Sequence, residues 1–200
     1  IRGPAHAGAF AGRSDCDVVA ICDADSNRAE RHADALGKRQ KRKVAAYQDL
    51  RKIIDDTSID VVSIATCNHW HALAAIWAMQ AGKDVYVEKP MSLTVVEGRR
   101  MVEAVRKYER VFQTGTQQRS GRNEYTGCMY VRNGAIGKVK TVLAPNFVGP
   151  VRWQPKPAEP MPDGGSDKWW DTWTNQAEMR PYHRQLQYGW SSWWAYDGGG

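Results

Sequence analysis

Short apolar runs alternate with helical stretches along the first 115 residues, and this alternation limits the possible folds more than any other feature of the chain. Runs at 18–22, 44–47, 61–65, 85–87 and 111–114 read as strands. The run at 61–65 reads as a continuous apolar strand, as in a sheet covered on both faces. Between the strands the pattern turns helical. Residues 5–11 look like the rest of a short helix. A helix over 27–36 has Asp25 or Ser26 as N-cap and Gly37 as its stop. Another over 50–54 is capped by Asp49, and an alanine-rich helix over 71–80 is terminated by Gly82. Thr94 and Glu97 form a T-x-x-E capping box that opens a helix to about Tyr108. Strands separated by single helices predict parallel βαβ units. The fold class is α/β, a Rossmann-type doubly wound parallel sheet.

The pattern changes after Gly115. Residues 123–132 look helical, Gly134-Ala135-Ile136-Gly137 is a turn, and 138–147 reads as a strand. Proline, glycine and tryptophan then dominate, with six of the nine tryptophans between Trp169 and Trp194. A boundary is expected near 116–122. It separates a nucleotide-binding domain over 1–118 from the start of an α+β substrate and oligomerisation domain over 119–200. The chain opens at Ile1, in what reads as the middle of a turn, and ends abruptly at Gly200. It is read as a fragment of a longer protein whose first strand lies upstream. That strand is central in a doubly wound sheet, so the isolated fragment is expected to be poorly soluble or unfolded.

Composition excludes several classes. No run is long enough to cross a bilayer. The net charge of +6 is dispersed, and the one dense basic run, Lys38-Arg39-Gln40-Lys41-Arg42-Lys43, lacks interleaved aromatic residues. It reads as a solvated loop, and no nucleic-acid partner is expected. Cys16, Cys22, Cys67 and Cys128 have neither metal-site nor disulfide-framework spacing.

In open α/β sheets ligands bind beyond the carboxyl ends of the strands, so residues following each apolar run are the candidates. Gly3, Pro4 and Ala5 resemble the last part of a glycine-rich phosphate turn, where helix N-terminal amides face a pyrophosphate. An ordinary turn before a helix reads equally well. Asp23 ends the next strand about twenty residues on, where a carboxylate receives ribose hydroxyls; a turn or cap is the alternative. This order favours NAD, and Arg28 is near enough to leave NADP open. Thr66-Cys67-Asn68-His69-Trp70-His71 follows the strand at 61–65 directly. Asn68 offers an amide to ribose or nicotinamide, while His71 either meets a ligand or orients the next helix. No metal is expected, because nothing local completes a zinc site around His69 and His71. Glu88-Lys89-Pro90 closes the strand at 85–87. Proline fixes its own φ and restricts the residue before it, so Lys89 can present a defined ammonium to a ligand.

With these pieces in order, the chain resembles the Gfo/Idh/MocA family of glucose–fructose oxidoreductases and inositol dehydrogenases. The resemblance is carried by Gly3-Pro4-Ala5-His6, Asp23, the Thr66-to-His71 edge and, most specifically, Glu88-Lys89-Pro90. Gln117-Gln118-Arg119 and the segment from Asn133 to Val139 extend it. The tail, with Asn175-Gln176 and Arg180-Pro181-Tyr182, resembles a bacterial subgroup with a modified second domain. The resemblance implies that Lys89 is catalytic and hydrogen-bonds the substrate oxygen that changes charge as hydride moves. It implies that Glu88 fixes the lysine, that Asn68, His71 and Gln117 line the nicotinamide, and that Arg119 meets substrate or the domain interface. The chain departs from the family at Arg2, where a glycine is expected, and at Cys67, where proline is common. The aspartate and histidine partners of the lysine are expected after Gly200.

The expected activity is hydride transfer between nicotinamide and a ring carbon of a sugar, inositol or derivative, by a protein that is a homo-oligomer at full length. The fragment by itself is expected to be inactive. Two alternatives stand beside it: an NAD-retaining glycosidase that uses transient oxidation, and a dinucleotide-binding protein without turnover. The intact Glu88-Lys89-Pro90 argues against the glycosidase. The tail tryptophans either stack on sugar rings or pack an interface.

Overall fold

A computed structural model describes residues 2–144, 149–162 and 165–198. The first part alternates as α1 (Gly3–Phe10), β1 (Ala20–Cys22), α2 (Ser26–Gln40), β2 (Ala45–Tyr47), α3 (Arg51–Ile54), β3 (Val61–Ile64), α4 (Asn68–Gln80), β4 (Asp84–Glu88), α5 (Val95–Tyr108) and β5 (Phe112–Gly115). Every strand pair is parallel, with a helix crossing between successive strands, as parallel pairing requires. β1 pairs with β2, and a second sheet has the order β3-β4-β5. The sheet is split between β1 and β3, where a doubly wound sheet carries its central strand.

The split changes the environment of β3. Val62 and Ile64 are buried, but Val61 is 53% exposed and Ser63 also faces outward. One face of this strand is packed instead of the two expected, and among the described residues β3 has a strand partner on one side only. The packed face meets α4 and α5. Ala72, Ala74, Ala75, Ala78 and Met79 lie against Val62, Ile64, Val85, Val87, Met101 and Ala104. Small side chains let the helices approach closely, and the core fills with aliphatic groups.

Two helix boundaries differ from expectation for local reasons. α2 passes through Gly37 and stops at Gln40, with Lys41 taking the left-handed conformation and returning its N–H to the Gly37 carbonyl. Gly37 serves close approach: a Cβ there would lie 2.9 Å from the Arg42 carbonyl oxygen. α4 starts at Asn68, three residues early, because Cys67 is extended and the chain turns helical immediately after it. The capping box at Thr94 and Glu97 forms as expected, with both reciprocal bonds present.

Beyond β5 come a 3-10 turn (Gln117–Ser120), α6 (Arg122–Arg132), α7 (Asp167–Thr174), α8 (Arg184–Tyr188) and a further short turn (Trp190–Ser192). The strand expected over 138–147 is not formed at 138–144, and 145–147 lie outside the described residues. No described strand lies beside 138–144, and a strand needs lateral partners for its backbone groups. Val142 and Leu143 accordingly stand 78% and 87% exposed.

The tryptophan-rich tail packs on itself and on the start of α4. Trp170 stacks on Trp173 at 4.7 Å between ring centres and on Trp169 at 5.9 Å, while Trp153 meets Trp193 edge-on at 4.7 Å. The rings join Tyr182, Leu186 and Tyr196 in one cluster, and Trp194 is the tail tryptophan left 61% exposed. These rings, Trp194 apart, pack on one another and on His69 at the start of α4. Trp70 Nε1 donates to the Thr172 and Trp173 carbonyls at 3.1 and 3.2 Å, satisfying groups that the end of α7 leaves free. Among the described residues no helix is long and apolar enough to cross a membrane.

Candidate active site at the carboxyl edge of the sheet

Because all five strands are parallel, the residues that follow them gather on one edge. Asp23 follows β1, Ala65 and Thr66 follow β3, Glu88 ends β4 with Lys89 next, and Gly115 ends β5 with Gln117 close behind. Register fixes their heights: Ile64 pairs with Val87, and Glu88 with Gly115. The start of α1 lies over the same edge, since a Cβ on Gly3 would be 3.9 Å from that of Ala65. With its amide turned to donate to the Gly115 carbonyl, Gln117 accepts from Arg2 Nη2 at 3.1 Å.

Glu88 is buried at the centre of this edge. Its Oε1 accepts from His6 Nε2 at 2.9 Å, and its Oε2 accepts from the Lys89 backbone N–H at 3.2 Å. The Glu88 carboxyl thus touches the lysine's backbone N–H, and its other oxygen faces His6. Gly115 leaves room for the carboxyl: a Cβ there would meet Glu88 Cδ at 3.3 Å and Tyr86 Oη at 3.0 Å. Lys89 itself is exposed, its peptide bond to Pro90 is cis, and its ammonium has no hydrogen bond or ion pair among the described residues.

Asp23 sits at the end of β1 with Oδ1 accepting from Asp25 N–H at 3.0 Å and Oδ2 3.5 Å from Arg28 Nε. Burial raises its pKa, against the lowering effect of that N–H bond and of Arg28. The neighbouring thiols are also held protonated by burial. The Cys22 pKa is pushed up to about 12 and that of Cys67 is raised further, so neither is a nucleophile at neutral pH.

Two other candidates face protein groups. His71 is buried between two carbonyls, Pro90 O at 2.6 Å from Nδ1 and Thr66 O at 3.2 Å from Nε2. These contacts tie α4 to the segments that follow β3 and β4. Asn68 is buried too, and its Nδ2 donates to Asp197 Oδ1 at 2.9 Å, so the tail reaches this edge. Thr66 is exposed, with Oγ1 donating to the Cys67 carbonyl at 3.2 Å, and Arg119 is exposed in the 3-10 turn.

Residues 1–116 match the model of the Gfo/Idh/MocA group, an oxidoreductase family with an NAD-binding Rossmann fold. The chain belongs to this family. Among curated relatives, a glycosyl hydrolase family 109 protein of Shewanella baltica is 31% identical over 186 residues, covering 91% of this chain and 40% of its own length. An alpha-N-acetylgalactosaminidase of Shewanella oneidensis is 30% identical over 159 residues, covering 78% of this chain and 34% of its own. The chain thus spans 40% of the length of the first of these. Among solved structures, myo-inositol 2-dehydrogenase from Lactobacillus plantarum superposes with a TM-score of 0.62 at 29% identity, over 68% of this chain and 40% of that one. A levoglucosan dehydrogenase in complex with NADH and levoglucosan gives 0.57 at 32% identity, over 69% and 38%.

The edge fits the dinucleotide that a Gfo/Idh/MocA Rossmann fold takes. A carboxylate closes β1, the free N–H groups at the start of α1 overhang β3, and an exposed ammonium leaves β4. His6 and Ser63 were missed as individual site residues. His6 lies three positions after Gly3, on the first turn of α1, where a polar side chain next to the sheet was the available signal. Ser63 interrupts an apolar strand in the same way. Asp197 stood out only as part of a glycine-rich end, and nothing local in the sequence pairs it with Asn68.

Proposed function

We propose that the intact protein is an NAD-dependent oxidoreductase that moves hydride between nicotinamide and a ring carbon of a sugar, inositol or derivative. The observation that carries this reading is the exposed Lys89 ammonium, without a partner among the described residues, at the end of β4 beside the start of α1. NAD would be held by the amides of Gly3 and Ala5, by Asp23 at the ribose, and by Thr66 and Gln117; when bound it supplies the hydride acceptor or donor. Pro4 has no N–H to give. The Arg28 contact to Asp23 leaves less of that cation for a 2′-phosphate, which supports NAD over NADP. Lys89 binds the reacting oxygen and stabilises the charge that develops on it. Glu88 and His71 act on the lysine's surroundings, Asn68 on the seating of Asp197, and Arg119 on the substrate side.

A second reading is an NAD-retaining glycosidase, favoured by the names of the two curated relatives. It keeps Lys89 in the same place and differs in whether NAD turns over. The test mixes the intact protein with NAD and a panel of sugars, inositols and N-acetylhexosaminides, and follows reduced-nicotinamide absorbance. Growing absorbance, abolished by Lys89→Ala, supports the dehydrogenase. Glycoside cleavage without net NADH, with NAD recovered from denatured protein, selects the glycosidase. Neither signal, with no NAD retained, overturns both.

A further inference from the structure

We propose that His6 and His71 are positioning residues that brace Lys89 from either side through its backbone. The inference rests on the role given to Lys89 above. An ammonium with no partner among the described residues is only as well placed as the chain that carries it. On the amino side, the Lys89 N–H is held by Glu88 Oε2 at 3.2 Å, and the other Glu88 oxygen is held by His6 Nε2 at 2.9 Å. His6 Nδ1 lies 3.0 Å from Ser63 Oγ, which closes the series on β3. One protonation pattern satisfies every member: Nε2–H donates to the carboxylate and the Ser63 hydroxyl donates to Nδ1. The ring also stands edge-on to Tyr86 at 5.1 Å. A line of hydrogen bonds therefore runs from β3 through α1 to the lysine.

On the carboxyl side the brace comes from α4. His71 Nδ1 is 2.6 Å from the Pro90 carbonyl oxygen, and its Nε2 is 3.2 Å from that of Thr66. Both partners accept only, and a neutral imidazole has one N–H to give. Burial lowers the His71 pKa and keeps the ring neutral, and the shorter contact places the proton on Nδ1, toward Pro90. The two histidines thus use different ring nitrogens, His6 through Nε2 and His71 through Nδ1.

That difference supplies the test. Glutamine places an amide N–H near the position of Nε2, and asparagine near that of Nδ1. In the intact protein His6→Asn and His71→Gln should lower kcat by ~10- to 100-fold, since small misplacements of a reacting group carry penalties of this size. His6→Gln and His71→Asn should restore most of it. In a Lys89→Ala background none of the four should lower the residual rate further, because coupled residues are not additive. Hydrogen exchange of the amides within 88–92, read by mass spectrometry without cofactor, should quicken in the two damaging variants and not in the two conservative ones. Equal losses for both replacements at a position, or losses that persist without Lys89, would show a merely structural role and overturn the brace. If the wild-type protein neither binds nor turns over NAD, the functional reading fails and exchange alone decides the brace. Should a histidine variant not fold, Glu88→Gln takes its place. It should quicken exchange at the same amides, and unchanged exchange counts against the brace.

Discussion

Ala75 and Trp170 are both buried, yet they hold their surroundings in different ways. Ala75 lies on α4 among Ala72, Ala74 and Ala78, packed against strands whose backbone ladder already fixes their spacing. Trp170 lies between Trp169 and Trp173, in a region where the described chain contributes one isolated β-bridge and two short helices. There the side chains themselves set the distances. Buried side-chain atoms without a hydrogen bond fall in the same place: Thr174 Oγ1, Asn175 Nδ2, Tyr196 Oη and, across the junction, His69 Nδ1. The strand–helix region rests on repeated backbone pairing and small residues. The aromatic region rests on a few large rings, and should fail when one is removed.

The strongest way to break this comparison is Trp170→Ala. Loss of a buried tryptophan costs about 3–5 kcal/mol, and here the bond from its Nε1 to the Arg180 carbonyl, at 2.6 Å, goes too. Ala75→Leu overfills the other core, at a cost of about 1–3 kcal/mol. Denaturant melts of the intact protein give both values. Hydrogen exchange locates them: Trp170→Ala should loosen 151–197 while protection over 61–115 persists. Simultaneous loss of protection in both regions would mean that they are one packing unit.

Next in size is Lys89→Ala, which separates function from packing. Removal of one charge-directed donor lowers kcat by about 100- to 1000-fold. The side chain is exposed and has no partner among the described residues, so Tm should stay where it is, within about 0.5 kcal/mol of stability. A fall in Tm matching the loss of rate would show that Lys89 is structural and that the edge is not built around it.

The same contrast decides what the sequence could reveal. The strand–helix region repeats a local rule, an apolar run followed by a capped helix, so its parallel pairing, the placing of Asp23 and Lys89 just past strand ends and the capping box at Thr94 were legible without coordinates. What escaped was nonlocal. Glu88 reads as the lysine's neighbour, but its carboxyl is committed to His6, 82 positions away along the chain. Asn68 reads as an amide offered to a ligand, and the partner its sequence neighbourhood does not reveal is Asp197, 129 positions later. His71 reads as a candidate for either role, and its ring lies between two carbonyl oxygens that only the folded chain brings to it. The tail tryptophans signalled aromatic packing without showing which ring meets which, because no period of two or 3.6 orders them.

At the junction of the two regions, pH should separate them. Burial lowers the pKa of His69 from 6.5 to about 4, and the bond from its Nε2 to the Trp173 carbonyl offsets only part of this. A folded pKa below the unfolded one means that the unfolded chain takes up the proton first. Stability is therefore fully present above pH 6.5, declines as pH falls toward 4, and has lost this contribution below that. The full swing is on the order of 3 kcal/mol, and His71, whose pKa burial also lowers, adds in the same direction. Urea midpoints at pH 7 and pH 4.5, for wild type and for His69→Gln, measure it. An equal pH slope in both proteins would remove His69 as the origin.

The smallest effect is the most local one. Thr94 Oγ1 accepts from Glu97 N–H at 3.2 Å, and Glu97 Oε2 accepts from the backbone N–H groups of Thr94 and Leu93, each at 2.9 Å. All of these bonds lie within five residues at the start of α5, so their contribution should not depend on how the tail packs. Thr94→Ala should cost about 1 kcal/mol. Combined with Trp170→Ala, the two losses should add to within about 0.5 kcal/mol, as for sites that share no partners. A larger discrepancy would show strain passing between the aromatic cluster and the helix that follows Lys89. The route for it is already visible, since Gly198 lies next to Leu93: a Cβ there would be 3.2 Å from the Leu93 carbonyl oxygen. The double variant therefore measures whether the tail rests on the carboxyl edge of the sheet or steers it.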